Sequence, residues 1–199
     1  FGAIKNLMEE DSIYKNTVNR MKGLGAEIIE FTPPDVELEG FLSILNIDMR
    51  NDLKGYLATQ TDTAQVSIAS VADAVAFNAI DSTVRIPYGQ ALFEGILADS
   101  TTAEGLNKIK STLEKEGRTF FDSILDKHQL DAILSINNSH AAFAAVAKYP
   151  ALPVPMGYTF NGEPVSLTFI AKSFEEHKLL RLGCAFEKAT KVRKMPNDY

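Results

Sequence analysis

The fold is decided by residues 130–171, LDAILSINNSHAAFAAVAKYPALPVPMGYTFNGEPVSLTFIA. The run from Leu130 to Ile136 is almost continuously apolar, as in a strand that is covered on both faces. Two further strands are predicted at 153–158 and 165–171. Because Asn161-Gly162 between them favours a tight hairpin, these two strands are predicted to be antiparallel. The stretch therefore predicts a mixed sheet and not a purely parallel one.

Helices surround these strands, because apolar residues recur at helical spacing on both sides of them. Ser70–Asp73 and Thr101–Glu104 have the spacing of capping boxes, which begin helices. Gly117 is the weak point of the long helix after the second box. A short strand is predicted at Ala26–Phe31. The predicted helices are 11–24, 36–57, one that starts after Ser70, one that runs from the second box to about residue 127, 141–147 and 175–191.

Helices that alternate with short apolar strands predict an α/β fold. We expect a mixed, mostly buried sheet flanked by helices. Four or five strands beside so many helices make an incomplete layer, so the sheet is expected to be part of a larger α/β/α sandwich.

The composition is that of an ordinary globular protein and excludes several kinds of partner. Of 199 residues, 45% are hydrophobic and 23% are charged, which is sufficient for a core. The net charge of -6 leaves no broad basic surface for nucleic acid or anionic membranes. No apolar run approaches the roughly 20 residues that span a bilayer. The single cysteine, Cys184, cannot form an internal disulfide, so we expect a reducing compartment, the cytoplasm.

The sequence contains no self-sufficient catalytic centre. Its three histidines lie apart from one another and from the cysteine, so no metal site is expected. Ser139-His140 pairs a nucleophile with a base in sequence only, because neighbouring side chains point apart and no Gly-x-Ser-x-Gly turn surrounds the serine. Ser12 and Lys15 match the Ser-x-x-Lys motif of penicillin-recognising enzymes, whose other motifs do not occur. No catalytic residue and no cofactor is therefore assigned.

Segments throughout the chain match one known family in the same order. They include Tyr149-Pro150, Val154-Pro155-Met156-Gly157-Tyr158 and Gly162-Glu163-Pro164-Val165. Each segment is weak by itself, but their collinear order makes the match specific. The chain resembles the C-terminal region of the amidase signature family. The further matching segments are 52–57, 70–78, 88–90, 130–133, 166–169, 179–182 and 185–190.

The resemblance implies hydrolysis of carbon–nitrogen amide bonds without a cofactor. The family uses a lysine, a bridging serine with a cis peptide and a nucleophilic serine, and all of these precede the matched region. The chain also begins at Phe1, without Met or a secretion signal. We therefore expect residues 1–199 to form a single C-terminal domain or fragment without the N-terminal catalytic half.

The same resemblance implies that this region completes the sheet and lines part of the substrate pocket. The candidate substrate-facing residues are Asn137, Asn138 and Ser139, in the turn after the Leu130 strand, together with Gly157. Two alternatives stay open: the asparagine amides cap the next helix, and Gly157 is first of all a turn or close-packing position.

Two residues depart from the family pattern. Lys148 stands before Tyr149-Pro150 where glycine is common, and Ser166 stands where glycine often occurs. The local backbone is therefore expected to differ at these two positions.

The predicted function is that of the C-terminal part of an amidase. Its expected partners are the missing N-terminal half, a small-molecule amide substrate and, through an exposed apolar surface, a second copy in a homo-oligomer. Two alternative functions are a non-catalytic stand-alone binding domain and part of an amidotransferase subunit that releases ammonia to a partner.

Overall fold

The computed structural model describes residues 1–62 and 64–195. These residues divide into two compact units, one formed by Phe1–Leu38 with the chain from Leu113 onward, and the other by Glu39–Thr112. No helix in the described ranges is long and apolar enough to cross a membrane. The elements are β1 (Gly2–Ile4), α1 (Lys5–Glu10), α2 (Ser12–Gly23), β2 (Ile29–Phe31), α3 (Phe41–Gln60), α4 (Val71–Ala79), α5 (Ser82–Arg85), α6 (Ala91–Ala98), α7 (Ala103–His128), β3 (Ile133–Ile136), α8 (Ala141–Ala147), β4 (Ala151–Tyr158), β5 (Pro164–Ile170) and α9 (Glu176–Thr190).

The first unit contains a five-stranded sheet in the order β2-β1-β3-β5-β4. Strand β1 runs parallel to both β2 and β3, whereas β5 pairs antiparallel with β3 and β4. The predicted hairpin connects β4 to β5, and Gly162 adopts φ 85° in its turn. The predicted α/β class and mixed sheet are therefore confirmed.

Strand β1, which lies between β2 and β3, has no counterpart among the predicted elements. It is only three residues long, which is too short for an alternating pattern to be recognised. A β-carbon at Gly2 would lie 2.7 Å from Ile133 Cδ1 and 3.1 Å from Phe31 Cε1. Glycine therefore allows β2 and β3 to flank β1 closely.

Each face of the sheet is covered by a different set of helices. Helices α1, α2 and α9 cover one face, where Tyr14, Val18 and Phe186 are buried against the sheet. Helices α7 and α8 cover the other face, where Phe121 and Ala147 are buried. The predicted mostly buried sheet follows from these two layers.

The helix boundaries follow local capping chemistry. Asp11 accepts a hydrogen bond from the Tyr14 backbone N–H at 2.7 Å and begins α2, which ends before Gly25 at φ 95°. Helix α3 begins at Phe41 and not at residue 36, because Gly40 adopts φ 83°. Helix α7 is capped by Thr102, which accepts from Gly105 N–H, one residue after the predicted Thr101.

The second unit is helical. Ser70 accepts from the Asp73 backbone N–H at 3.1 Å, so the first predicted capping box is confirmed. Helix α3 contacts the end of α6 through polar side chains: Asn46 bonds to the Asp99 carboxylate, and Arg50 donates to the carbonyl oxygens of Ile96 and Asp99.

Candidate functional site

The carboxyl ends of the adjacent parallel strands β1 and β3 form a topological switch point. The chain leaves β1 through α1 and α2 on one face of the sheet, and it leaves β3 through α8 on the opposite face. In open α/β sheets, ligands bind in the crevice that such diverging connections leave outside the strand ends. The turn 137–140 directly follows β3 and so lies at this edge.

The Tyr14 hydroxyl bridges β1 and β3 at this point. The regular β1–β3 pairing ends at Ala3 and Leu134. Beyond it, the Tyr14 hydroxyl accepts from the Ile4 N–H at 3.2 Å and donates to the Leu134 carbonyl oxygen at 2.8 Å. Burial raises the pKa of Tyr14 above its ordinary value. The hydroxyl therefore replaces a direct bond between the strands, a role that the sequence did not indicate.

Asn137 fixes the turn to the neighbouring strand. Its φ is 47°, in the left-handed region that asparagine tolerates. The Asn137 N–H donates to the Ser166 carbonyl oxygen at 2.9 Å, and its Oδ1 accepts from the Ser166 N–H at 2.8 Å. Thr168 Oγ1 donates to the Asn137 carbonyl oxygen at 2.6 Å. These bonds extend the β3–β5 ladder, so Asn137 orients the turn.

Asn138 and Ser139 project from the turn and are exposed. Their backbones close it, because Ser139 N–H donates to Ile136 O at 3.0 Å and Asn138 O accepts from Ala141 N–H at 3.0 Å. The alternative that the asparagine amides cap the next helix is wrong: His140 precedes α8, and no side chain caps that helix in the described structure.

His140 bonds to a serine, but not to its sequence neighbour. Its Nδ1 and Ser135 Oγ are hydrogen-bonded at 2.6 Å, and Ser135 is 1% exposed on β3. The imidazole lies beside Phe120 and Phe143, with ring centroids 5.3 and 6.0 Å away. Burial lowers the pKa of His140, which favours a neutral ring. Within the described ranges no carboxylate bonds to this ring, so the pair lacks the third group of a hydrolytic triad.

Gly157 is a close-packing position on β4. A β-carbon there would lie 2.6 Å from Ile13 Cγ2 on α2. The register between β4 and β5 also shifts between Pro155 and Gly157. The geometry therefore supports the alternative that Gly157 is first of all a close-packing position, because glycine lets α2 approach β4.

The two positions that depart from the family pattern, Lys148 and Ser166, differ in backbone conformation. Lys148 ends α8 at φ 60° and ψ 42°, the left-handed conformation that glycine favours, and its ammonium pairs with Glu114. Lys148 thus takes a backbone conformation that suits glycine. Ser166 lies in β5; its carbonyl oxygen accepts from the Asn137 N–H, and its N–H donates to Asn137 Oδ1.

A polar cavity of about 480 Å³ opens beside the switch point, at the carboxyl ends of β1 and β2. Lys5 and Asn6, the first residues after β1, form one wall of it. In the described residues no group of three or more His, Cys, Asp or Glu side chains is arranged to hold a metal. Cys184 is a free, exposed thiol on α9. The cavity is lined by Lys5, Asn6, Glu9, Thr32, Pro33, Pro34 and Asp35.

Several known proteins that this chain resembles are amidases. No protein-family model matches the chain. A probable amidase of Arabidopsis thaliana is 28% identical over 203 residues, which cover 96% of this chain and 38% of that protein. The crystal structure of an amidase family protein from Bacillus anthracis superposes with a TM-score of 0.86 at 28% identity, over 99% of this chain and 39% of that one. Peptide amidase from Stenotrophomonas maltophilia gives a TM-score of 0.83 at 25% identity, over 98% and 44%.

Fold and sequence thus define a class of fold, the layered α/β fold of these amidases. The predicted resemblance to the amidase signature family is confirmed by both kinds of comparison. The chain spans about two fifths of the length of these relatives.

Proposed function

We propose that this chain is the C-terminal part of an amidase, a hydrolase that cleaves the carbon–nitrogen bond of an amide with water. Residues 1–199 act in this proposal as one C-terminal domain, and the N-terminal half supplies the catalytic groups. One observation carries the proposal: the similarity to a probable amidase and to an amidase structure extends over 96% and 99% of this chain.

The chain's own contribution is to complete the sheet and to line one side of the substrate pocket at the switch point. Asn138 and Ser139 face the substrate, and Asn137 holds them in place through its bonds to Ser166 and Thr168. An asparagine amide donates to the carbonyl oxygen of a bound amide and accepts from its N–H, which suits it to orienting that group. Gly157 acts from a distance, because it lets α2 pack against β4.

The orientation role predicts a specific kinetic effect in the full-length enzyme. Asn138→Ala and Ser139→Ala each remove one polar contact to the substrate, so we expect KM to rise about fivefold to tenfold. Because no proton or leaving group passes through these side chains, kcat changes little. Asn107→Ala, at an exposed position of α7, is the matched control. Unchanged KM in both turn variants contradicts the assignment of this pocket wall.

Ammonia release tests the proposed function itself. Aliphatic amides, aryl amides and peptide amides are offered to the full-length protein and, separately, to residues 1–199. We expect turnover by the full-length protein alone. Turnover by residues 1–199 that Ser12→Ala abolishes places the chemistry in this chain instead. No turnover by either sample, together with co-purification of a second subunit, favours an amidotransferase.

A further inference from the structure

Helix α3 has apolar residues on two faces, and only one of them is covered. The covered face contains Ile47, which is 4% exposed, and its polar neighbours Asn46 and Arg50 bond to the end of α6. This side of the helix is therefore fixed within the second unit.

The other face carries a row of exposed apolar side chains, which we call the α3 stripe. Its members follow one another at helical spacing, so they share one side of the helix along about 20 Å of its length. The α3 stripe consists of Leu42, Leu45, Met49 and Tyr56, which are 64%, 51%, 38% and 63% exposed.

Apolar residues at this spacing are typical of a helix face that packs against another element. A contiguous exposed apolar row on a helix marks a surface that contacts another polypeptide. Among the described residues of the second unit, the buried large apolar side chains are Ile47, Val71, Ile96 and Leu106. Within the part of the chain that the structure describes, the core of the second unit therefore does not cover the α3 stripe.

We propose that the N-terminal part of the same amidase covers the α3 stripe. This inference rests on the proposed function, and it is supported by the length of the relatives, of which more than half lies beyond the part that this chain matches. The covering surface is apolar, with a cation opposite Asp52, which is exposed on α3 between Met49 and Tyr56.

Charge argues against a second copy of this chain as the occupant. A pairing of two α3 stripes brings an exposed Asp52 from each copy to the same interface and supplies no cation opposite either one from the stripe itself, and like charges across an interface are unfavourable. The net charge of -6 adds to this repulsion.

The test is the accessibility of introduced thiols. Leu45→Cys places a thiol in the α3 stripe, and Asn51→Cys places one on another, exposed side of the same helix; both carry Cys184→Ser to remove the exposed native thiol. Maleimide labelling of each peptide is followed by mass spectrometry in residues 1–199 and in the full-length enzyme. We expect the Leu45→Cys thiol to react about tenfold more slowly in the full-length enzyme, with the Asn51→Cys thiol equal in both.

Equal labelling of the Leu45→Cys thiol in both proteins overturns the inference, and so does protection that disappears on dilution, which indicates a second copy. Leu42→Cys provides a second position if Leu45→Cys does not fold. Ammonia release by the same full-length samples separates the two claims: an active enzyme with an unprotected thiol contradicts only the interface, and a protected thiol without amide turnover contradicts the proposed function.

Discussion

At the residue scale, single polar atoms decide how the strands around the switch point are held. The sequence did not predict a site at Ser135, His140 and Tyr14. Their contacts follow no recognisable sequence spacing; Tyr14, for example, bonds to Leu134, which is 120 residues away. Asn137–Ser139 could be placed from the sequence, since they directly follow a recognisable strand. The bonds of Asn137 to β5 could not be foreseen, because they depend on the register of the sheet.

Removing the Tyr14 hydroxyl tests its bridging role. Tyr14→Phe leaves the Ile4 N–H and the Leu134 carbonyl buried without a partner, so we expect a loss of about 1–3 kcal/mol in the free energy of unfolding. Urea denaturation measures it. Tyr56→Phe, at an exposed position, is the control and should change stability little. Equal effects of the two substitutions contradict the bridge.

Lys148 tests the left-handed end of α8. Lys148→Gly and Lys148→Ala both remove the ion pair with Glu114, but only glycine adopts φ 60° without strain. We expect the glycine variant to be more stable than the alanine variant by about 1 kcal/mol. At Lys108, inside α7, the order should reverse, because glycine is the poorer helix former there. Thermal unfolding of the four variants decides the comparison.

His140 makes stability depend on pH. Burial lowers its pKa in the folded protein, so the folded state binds fewer protons than the unfolded state, in which a histidine titrates near pH 6.5. The free energy of unfolding should therefore fall as the pH decreases through about 6.5. His140→Gln removes this contribution, and His128→Gln, at an exposed position, retains it. Denaturation at pH 7.5 and 5.5 that shows the same decrease for His140→Gln and the native protein contradicts the assignment.

At the element scale, the strongly patterned segments were predictable. Helix α8 has the predicted bounds, and α9, β4 and β5 lie within two residues of theirs. Strand β1 was missed because it is short and its partners are remote in sequence. Gly117 was misjudged as a weak point of α7: a β-carbon there would lie 2.7 Å from Val146 Cγ2 and 2.8 Å from Ala147 N. Only the packing of α7 on α8 reveals that role.

Two helical glycines test this packing. Gly117→Ala should destabilise the protein by about 1–3 kcal/mol, because its methyl group overlaps the backbone of α8. Gly55→Ala meets no atom within 4 Å in α3 and should stabilise it by about 0.5–1 kcal/mol through helix propensity. Chemical denaturation gives both values. A stabilising Gly117→Ala contradicts the close approach of the two helices.

At the scale of the whole molecule, the sequence identified the class of fold and the family resemblance, because collinear segments extend over most of the chain. It could not define the two compact units, which depend on contacts between distant segments. The sheet order β2-β1-β3-β5-β4 places the candidate turn at a switch point. The proposed function then requires catalytic groups from polypeptide beyond residues 1–199.

Reconstitution tests that requirement most directly. The N-terminal part of the proposed amidase and residues 1–199 are produced as separate polypeptides, and ammonia release from amide substrates is measured for each alone and for the two together. We expect turnover only when both polypeptides are present, with saturation at equal amounts. An N-terminal part that is as active alone as in the mixture contradicts the claim that this chain completes the enzyme.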